Sequence, residues 1–288
     1  MNNDFLRDWL GRVETCADTI TSTPVSALSA TLNIIELPRS CGDILPPLWH
    51  WLYFLPLPLQ SKIGSDGHPE RGKFLPPVPL PRRMWAGGRI QFHSPIRVGD
   101  EVSRVSKIVD VSQKDGRTGP LAFVLVRHEI SNAEGVAITE EQDLVYRENP
   151  NPNDPKPAST AAPANPDWSR EIQPDPVFLF RYSALTLNGH RIHYDRPYAT
   201  EVEGYPGLVV HGPLVATLLV DLLQKNIPNA VVSSFSFRAM KPLFDTSPFA
   251  VCGRLESDGK TVTLWAKDEN GWLAMCATAI LTAATPQN

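Results

Sequence analysis

The chain reads as an α+β protein made twice from the same parts, antiparallel strands gathered around a helix, with a break between the two copies. Three observations predict this. A proline-rich stretch divides the 288 residues near their middle, β-rich runs of similar pattern stand on either side of it, and one almost wholly apolar helical segment lies in the second half. With 42% apolar residues and about twice the length of an ordinary domain, the chain can bury two cores.

Between Arg147 and Asp167 the apolar periodicity stops, and Pro150, Pro152, Pro155, Pro157, Pro163 and Pro166 stand among Asn, Ala and Ser. That composition makes an extended linker. The expected units are a first domain over 1–147, a linker over 148–167 and a second domain over 168–288. The run Ile90-Gln91-Phe92-His93-Ser94-Pro95-Ile96-Arg97-Val98-Gly99-Asp100 resembles Phe235-Ser236-Phe237-Arg238-Ala239-Met240-Lys241-Pro242-Leu243-Phe244-Asp245. Alternating segments follow each, over 102–111, 121–132 and 135–147 in the first half and 248–257, 260–267 and 271–282 in the second. The pairs Asp115-Gly116, Asp258-Gly259 and Asn270-Gly271 favour hairpins between them.

Helical spacing of Phe5, Leu6, Trp9, Leu10, Val13 and Cys16 predicts an amphipathic helix over 3–19 that packs by one face. Residues 213–223 are apolar at nearly every position, so this helix should be buried on most of its surface; Asp221 interrupts it, and it is too short to span a bilayer. Pro213 suits the first helical position and leaves Gly212 as the cap, with N–H groups pointing outward along the positive end of the helix dipole. In the first half the corresponding place holds only the short aromatic run Pro46-Pro47-Leu48-Trp49-His50-Trp51-Leu52-Tyr53-Phe54. That half is expected to be noncatalytic.

Acid/base groups stand just ahead of the apolar helix, in Asn188-Gly189-His190-Arg191-Ile192-His193-Tyr194-Asp195 and then Val210-His211-Gly212-Pro213. An imidazole beside outward-facing N–H groups suits chemistry in which a proton moves while negative charge grows on a carbonyl oxygen. This pattern resembles the MaoC-like, (R)-specific enoyl-CoA hydratases and dehydratases of the hot-dog superfamily. In that family a Ser-Gly-Asp-x-Asn-Pro-hydrophobic-His run supplies an Asp/His dyad; Thr186 to His193 fills the same spacing, so His193 matches the catalytic His and Asn188 replaces the Asp. The family's later His-Gly, whose glycine amide holds the thioester oxygen, is matched by His211-Gly212.

The resemblance implies a double hot-dog, two antiparallel sheets each around a central helix and side by side, acting on a coenzyme A thioester without a cofactor. Gly64-Ser65-Asp66-Gly67-His68-Pro69, Met84-Trp85-Ala86-Gly87-Gly88-Arg89 and the Asn variant resemble the subgroup holding mesaconyl-CoA and itaconyl-CoA hydratases and mitochondrial 3-hydroxyacyl-thioester dehydratases. The roles expected are proton transfer for His193, orientation of water or carbonyl for Asn188, which cannot titrate, and enolate stabilisation by the Gly212 N–H. His190 or Asp195 is then a candidate second titrating group. Arg191 and Arg196, flanking His193, are candidates to hold a free carboxylate, as in itaconyl-CoA or mesaconyl-CoA, with His190 and Gly88 as further substrate contacts.

Plainer readings stand beside these. A lone His is more often packing or surface than catalyst, Asn188 suits a turn, and the two arginines can simply pair with acids such as Asp195 and Glu201. His190, His193 and Asp195 as metal ligands are disfavoured, since no further ligand cluster accompanies them. His50 between two tryptophans reads as aromatic packing, His211 as positioning the helix entry, and His68 and His93 are undecided. Arg82-Arg83 reads as a solvated loop pair, with coenzyme A phosphates as the alternative. Gly87-Gly88 implies close backbone approach, to the neighbouring sheet in preference to a thioester arm.

A net charge of −4 leaves no broad basic surface for nucleic acid. Cysteines at 16, 41, 252 and 276 form no CxxC pair and fit reduced, mostly buried thiols in the cytoplasm. No basic segment leads into an apolar run at the N-terminus, so neither a leader nor a membrane anchor is expected; self-association is left open. The rivals are a 3-hydroxyacyl-thioester dehydratase of fatty-acid synthesis, a hot-dog thioesterase, which the missing carboxylate at Asn188 disfavours, and a noncatalytic thioester-binding module, which the retained His193 and His211-Gly212 disfavour.

Overall fold

The computed structural model describes residues 4–35, 40–116, 119–149 and 158–282. In the first half, strand β1 (Val13–Thr19) leads to helix α1 (Ser22–Thr31), 3₁₀ turns at Trp49–Leu52 and Gln60–Lys62, and strands β2 (Arg82–Phe92), β3 (Glu101–Gly116), β4 (Gly119–Asn132) and β5 (Gly135–Arg147). The second half repeats this order. Strand β6 (Trp168–Ile172) leads to α2 (Pro176–Leu185), the long α3 (Gly212–Asn226), and strands β7 (Val231–Ala239), β8 (Phe249–Leu255), β9 (Thr261–Asp268) and β10 (Leu273–Thr282). This is the double hot-dog that the motifs imply.

The two five-stranded halves are joined edge to edge into one ten-stranded sheet, ordered β1-β3-β4-β5-β2-β7-β10-β9-β8-β6. At the joint β2 and β7 run antiparallel with Ile90 opposite Phe235, the two residues that begin the similar runs. Equivalent positions of the repeat thus face each other across a local two-fold. Gly87 and Gly88 permit the approach: a Cβ on Gly87 would lie 2.6 Å from the Phe237 carbonyl oxygen, and one on Gly88 3.0 Å from the Phe237 ring. The Gly88 backbone therefore meets the neighbouring strand, a correction to its place among the substrate contacts.

Helix α3 is buried without interruption from Leu214 to Leu223, as its unbroken apolar pattern requires. Asp221, its one acid, accepts from Arg170 of β6 at 2.6 Å and meets Lys225 at 3.2 Å. The corresponding place in the first half is only the turn at 49–52. It is pinned by a buried carboxylate: Glu140 of β5 accepts from His50 Nε2 (3.0 Å), Trp51 Nε1 (3.0 Å) and Gln142 Nε2 (2.9 Å). Burial alone would raise the Glu140 pKa, but the His50 hydrogen bond and its neighbours hold it down near 2. His50 is thus a polar anchor rather than simple aromatic packing.

The N-terminal segment departs from expectation. Residues 4–9 form a 3₁₀ turn, Gly11 at φ +80° ends it, and β-branched Val13, Thr15 and Thr19 enter a strand paired with β3 from Val13↔Lys107 to Thr19↔Glu101. The α-helix starts later, at Ser22, with Pro24 in its first turn. Gly259 and Gly271 take positive φ (+67° and +81°) at their hairpins, while residues 117–118, beyond Asp115-Gly116, lie outside the described residues. So do Pro150, Pro152, Pro155 and Pro157 of the expected linker. Its remainder lies along the second half, where the Thr160 carbonyl accepts from Leu273 N–H (2.8 Å) and Asp167 Oδ2 from Leu255 N–H (2.9 Å).

All four thiols are free, but only Cys252 is buried and Cys41 is exposed, which corrects the expectation of mostly buried cysteines. Among the described residues no helix is long and apolar enough to cross a membrane.

Candidate active site

The site forms where α2 ends and α3 begins. Leu187 at φ +45° turns the chain out of α2, and the Asn188 N–H donates back to the Ser183 carbonyl at 2.8 Å. Asn188 Oδ1 then accepts the His190 N–H at 3.1 Å. The side-chain carbonyl of Asn188 therefore shapes the turn, the plainer of the two readings, and leaves only its amide end for any other duty.

The turn delivers His193 into the interior on a 3₁₀ turn, Arg191–His193, in which Ile192 and His193 are buried. His193 Nδ1 lies 2.7 Å from the Val209 carbonyl oxygen. A carbonyl only accepts, so Nδ1 carries the hydrogen and the Nε2 lone pair is the basic end of the ring. The ring stacks on His211 at 3.7 Å between centroids, and His211 Nε2 is 2.8 Å from Ser183 Oγ. His211 is the N-cap of α3, with Gly212 and Pro213 as its first two residues, one position earlier than the proline suggested. The Gly212 N–H has no partner within the helix, and a Cβ at Gly212 would meet nothing within 4 Å. Open space thus lies beside an unsatisfied N–H at the positive end of a buried helix.

The first half reaches into this site through residues 64–70. The Arg191 N–H donates to the Asp66 carbonyl at 2.9 Å and the Arg191 side chain to the Ser65 carbonyl at 3.0 Å. Gly67, at φ +88°, lies so close to Gly189 that a Cβ would come within 1.8 Å of the Gly189 oxygen. This docking sets His68 over His190 at 4.1 Å, with Asp66 Oδ2 holding His68 Nδ1 at 3.1 Å. Four of the seven histidines then form a row: His68 on His190, His190 edge-on to His193 at 5.5 Å, His193 on His211. His68, undecided from sequence, belongs to the row.

Burial disfavours the charged imidazole throughout. It lowers the His193 pKa to about 4 and that of His190 to about 2, carries His211 well below its ordinary value, and lowers His68 despite the opposing pull of Asp66. All four are neutral at pH 7. A folded pKa below the unfolded value means that the unfolded chain takes up protons first as the pH falls. The stability associated with these groups is therefore complete above about 6.5 and is lost toward 4, at up to about 1.4 kcal/mol per pH unit for each such imidazole. Urea midpoints should accordingly fall between pH 7 and 4 in the wild type and less steeply in His190→Asn; parallel curves would contradict the lowered value.

Neither arginine beside His193 is free. Arg191 binds Asp195 at 2.7 Å and lies over the Tyr198 ring at 4.2 Å, and Arg196 binds Asp245 Oδ2 at 2.5 Å. The acid that holds Arg196 is Asp245, not Glu201. Each guanidinium is thus already paired with an acid, as the plainer reading of the two arginines had it. Asp195 is equally committed, which removes it both as a second titrating group and as a metal ligand beside His190 and His193. Arg82 and Arg83 lie in β2 rather than in a loop, and Arg82 pairs with Glu203 at 2.8 Å.

The profile of the hydroxyacyl-thioester dehydratase type 2 family matches residues 48–245, which span residues 64–70, the histidine row and α3. The chain belongs to that family. The chain is also 49% identical over 276 residues to a mesaconyl-C(4)-CoA hydratase of Chloroflexus aurantiacus, covering 95% of this chain and 96% of that one. In architecture it is similar to HtdX of Mycobacterium tuberculosis (TM-score 0.64, 18% identity, 93% and 99% of the two chains). It is also similar to a protein of the same organism described as a double hot-dog (TM-score 0.57, 14% identity, 95% and 96%). This type 2 family member is a hydro-lyase.

Proposed function

We propose that this hydro-lyase adds water reversibly across the double bond of an acyl-coenzyme A whose acyl group is a small branched dicarboxylate of the mesaconyl type. The observation that carries the reading is the near full-length 49% identity to the mesaconyl-C(4)-CoA hydratase. His193 Nε2 takes a proton from water as the oxygen bonds to C3; the double-bond pair moves onto C2 and the thioester carbonyl, and the Gly212 N–H receives the oxyanion. The imidazolium then returns the proton to C2. A pKa near 4 makes His193 a modest base but a strong acid, so the second transfer is the easier one. Asn188 orients through its amide end, and the row places His190 against the substrate.

This mechanism requires a double bond conjugated with the thioester, which mesaconyl-CoA has and itaconyl-CoA lacks; the mesaconyl substrate is therefore preferred. The acyl group sits where the halves meet, the second half doing the chemistry and the first, noncatalytic, closing the site with residues 64–70. Four free thiols accord with a reducing cytoplasm. The second reading, dehydration of linear 3-hydroxyacyl thioesters, draws on the family match. Purified enzyme followed by loss of enoyl-thioester absorbance on mesaconyl- and crotonyl-CoA, and by chromatography of the product on itaconyl-CoA, decides between them. The expected kcat/KM order is mesaconyl first by at least about tenfold; a preference for crotonyl-CoA promotes the second reading.

A further inference from the structure

A dicarboxylyl thioester brings a second negative charge to within one bond of the carbon that water attacks, and the two arginines nearest His193 in sequence are already paired. Resting on the function proposed above, we propose that Arg83 receives this free carboxylate and so sets the substrate preference. Arg83 lies on β2 opposite Tyr146 of β5 and is half-buried. Its neighbour Arg82 turns to the other side, to Glu203 and the Tyr205 hydroxyl. Among the described residues Arg83 has no carboxylate within 4 Å, unlike Arg82, Arg191 and Arg196.

Its surroundings carry more positive charge than negative. The neighbouring Arg82 reaches Glu203 and the Tyr205 hydroxyl in the segment that follows the His193 turn, so this end of β2 borders the site, and the charge of Arg83 bears on His68 and His190 alike. It also acts on Arg71, whose guanidinium stands over the Tyr146 ring at 5.3 Å and donates to the carbonyls of Val78, Leu80 and Pro81. Asp66 is the acid in this group, and its carboxylate is taken up by the His68 N–H and ring. Two guanidiniums therefore face one carboxylate, with the imidazoles neutral. Tyr146 belongs to the same group: it is fully buried, its hydroxyl has no partner at full hydrogen-bond geometry, and the group that approaches it is the Arg83 guanidinium.

A planar carboxylate fits this setting. It would neutralise the excess charge, accept two parallel bonds from the Arg83 fork and take the Tyr146 hydroxyl as a third donor. The phosphates of coenzyme A are a poorer match, because a pantetheine arm separates them from the thioester and Arg83 stands beside the acid/base groups.

The test compares Arg83→Gln and Arg83→Lys with wild type on mesaconyl-CoA and crotonyl-CoA. Loss of a charge-assisted contact predicts a fall in kcat/KM of roughly 10- to 100-fold on mesaconyl-CoA, mostly in KM, and of no more than about threefold on crotonyl-CoA. Arg83→Lys, which keeps the charge without the fork, should recover part of the loss. In the wild type, a saturated dicarboxylyl thioester, methylsuccinyl-CoA, should inhibit crotonyl-CoA hydration at least about tenfold better than butyryl-CoA, a comparison that stands even if both variants fold poorly. Equal losses on the two substrates, or equal inhibition by the two analogues, in an enzyme that still prefers mesaconyl-CoA would overturn the role of Arg83 alone. A wild type that hydrates crotonyl-CoA and no dicarboxylyl thioester would overturn the proposed substrate and Arg83's role with it.

Discussion

His193→Ala is expected to lower kcat/KM for hydration by roughly 10²- to 10⁴-fold, the usual contribution of a positioned acid/base group. Nothing else in the row replaces it: His190 is less basic still, and His211, which burial carries well below its ordinary value, has its Nε2 engaged with Ser183. The substitution also leaves the Val209 carbonyl without its donor, at a cost of about 1–3 kcal/mol. Activity should therefore be compared with the urea midpoint, which should drop by an amount consistent with that loss while the variant stays folded at 25 °C. A His193→Ala enzyme that keeps more than about a tenth of wild-type kcat/KM would remove His193 from the chemistry.

The second large effect concerns the halves. Residues 168–288 expressed alone should show no measurable hydratase activity, although they contain His193, His211 and Gly212. Two losses compound. The fragment lacks Asp66 and His68, which cover His190, and it exposes the edge of β7 from Ser234 to Arg238 that β2 normally pairs. An exposed apolar edge invites aggregation. Mixing it with residues 1–167 should restore part of the activity, read as initial rate against the concentration of the first fragment. Full activity from the second fragment by itself would show that the first half takes no part in the site.

The parts of this architecture that were readable in the chain are those with a local signature. The unbroken apolar run of α3 announces a buried helix, and the similar runs at Ile90 and Phe235 announce a duplicated sheet. The spacing from Asn188 to His193 and then to His211-Gly212 marks out the candidate site, because these residues lie within one half and come together at the entry to α3. What was missed depends on contacts between distant segments. His68 gains meaning only when residues 64–70 cross to Arg191 and Gly189, a separation of more than a hundred residues. The pairing of Arg191 with Asp195 is the i, i+4 match that the plainer reading allowed, whereas Arg196 finds Asp245 across 49 residues. At the N-terminus the helical spacing was real but misleading: β-branched residues and an available edge on β3 outweighed it, as tertiary pairing commonly outweighs propensity.

The placement of equivalent residues Ile90 and Phe235 across the β2–β7 joint has a kinetic corollary. Were the halves separate chains, that seam would be a bimolecular contact, and the site, which takes groups from both sides, would come apart on dilution. Here one polypeptide carries both faces. Closing the seam is a first-order event governed by the effective concentration that the tether imposes, so specific activity should hold constant down to the lowest enzyme concentrations that can be assayed.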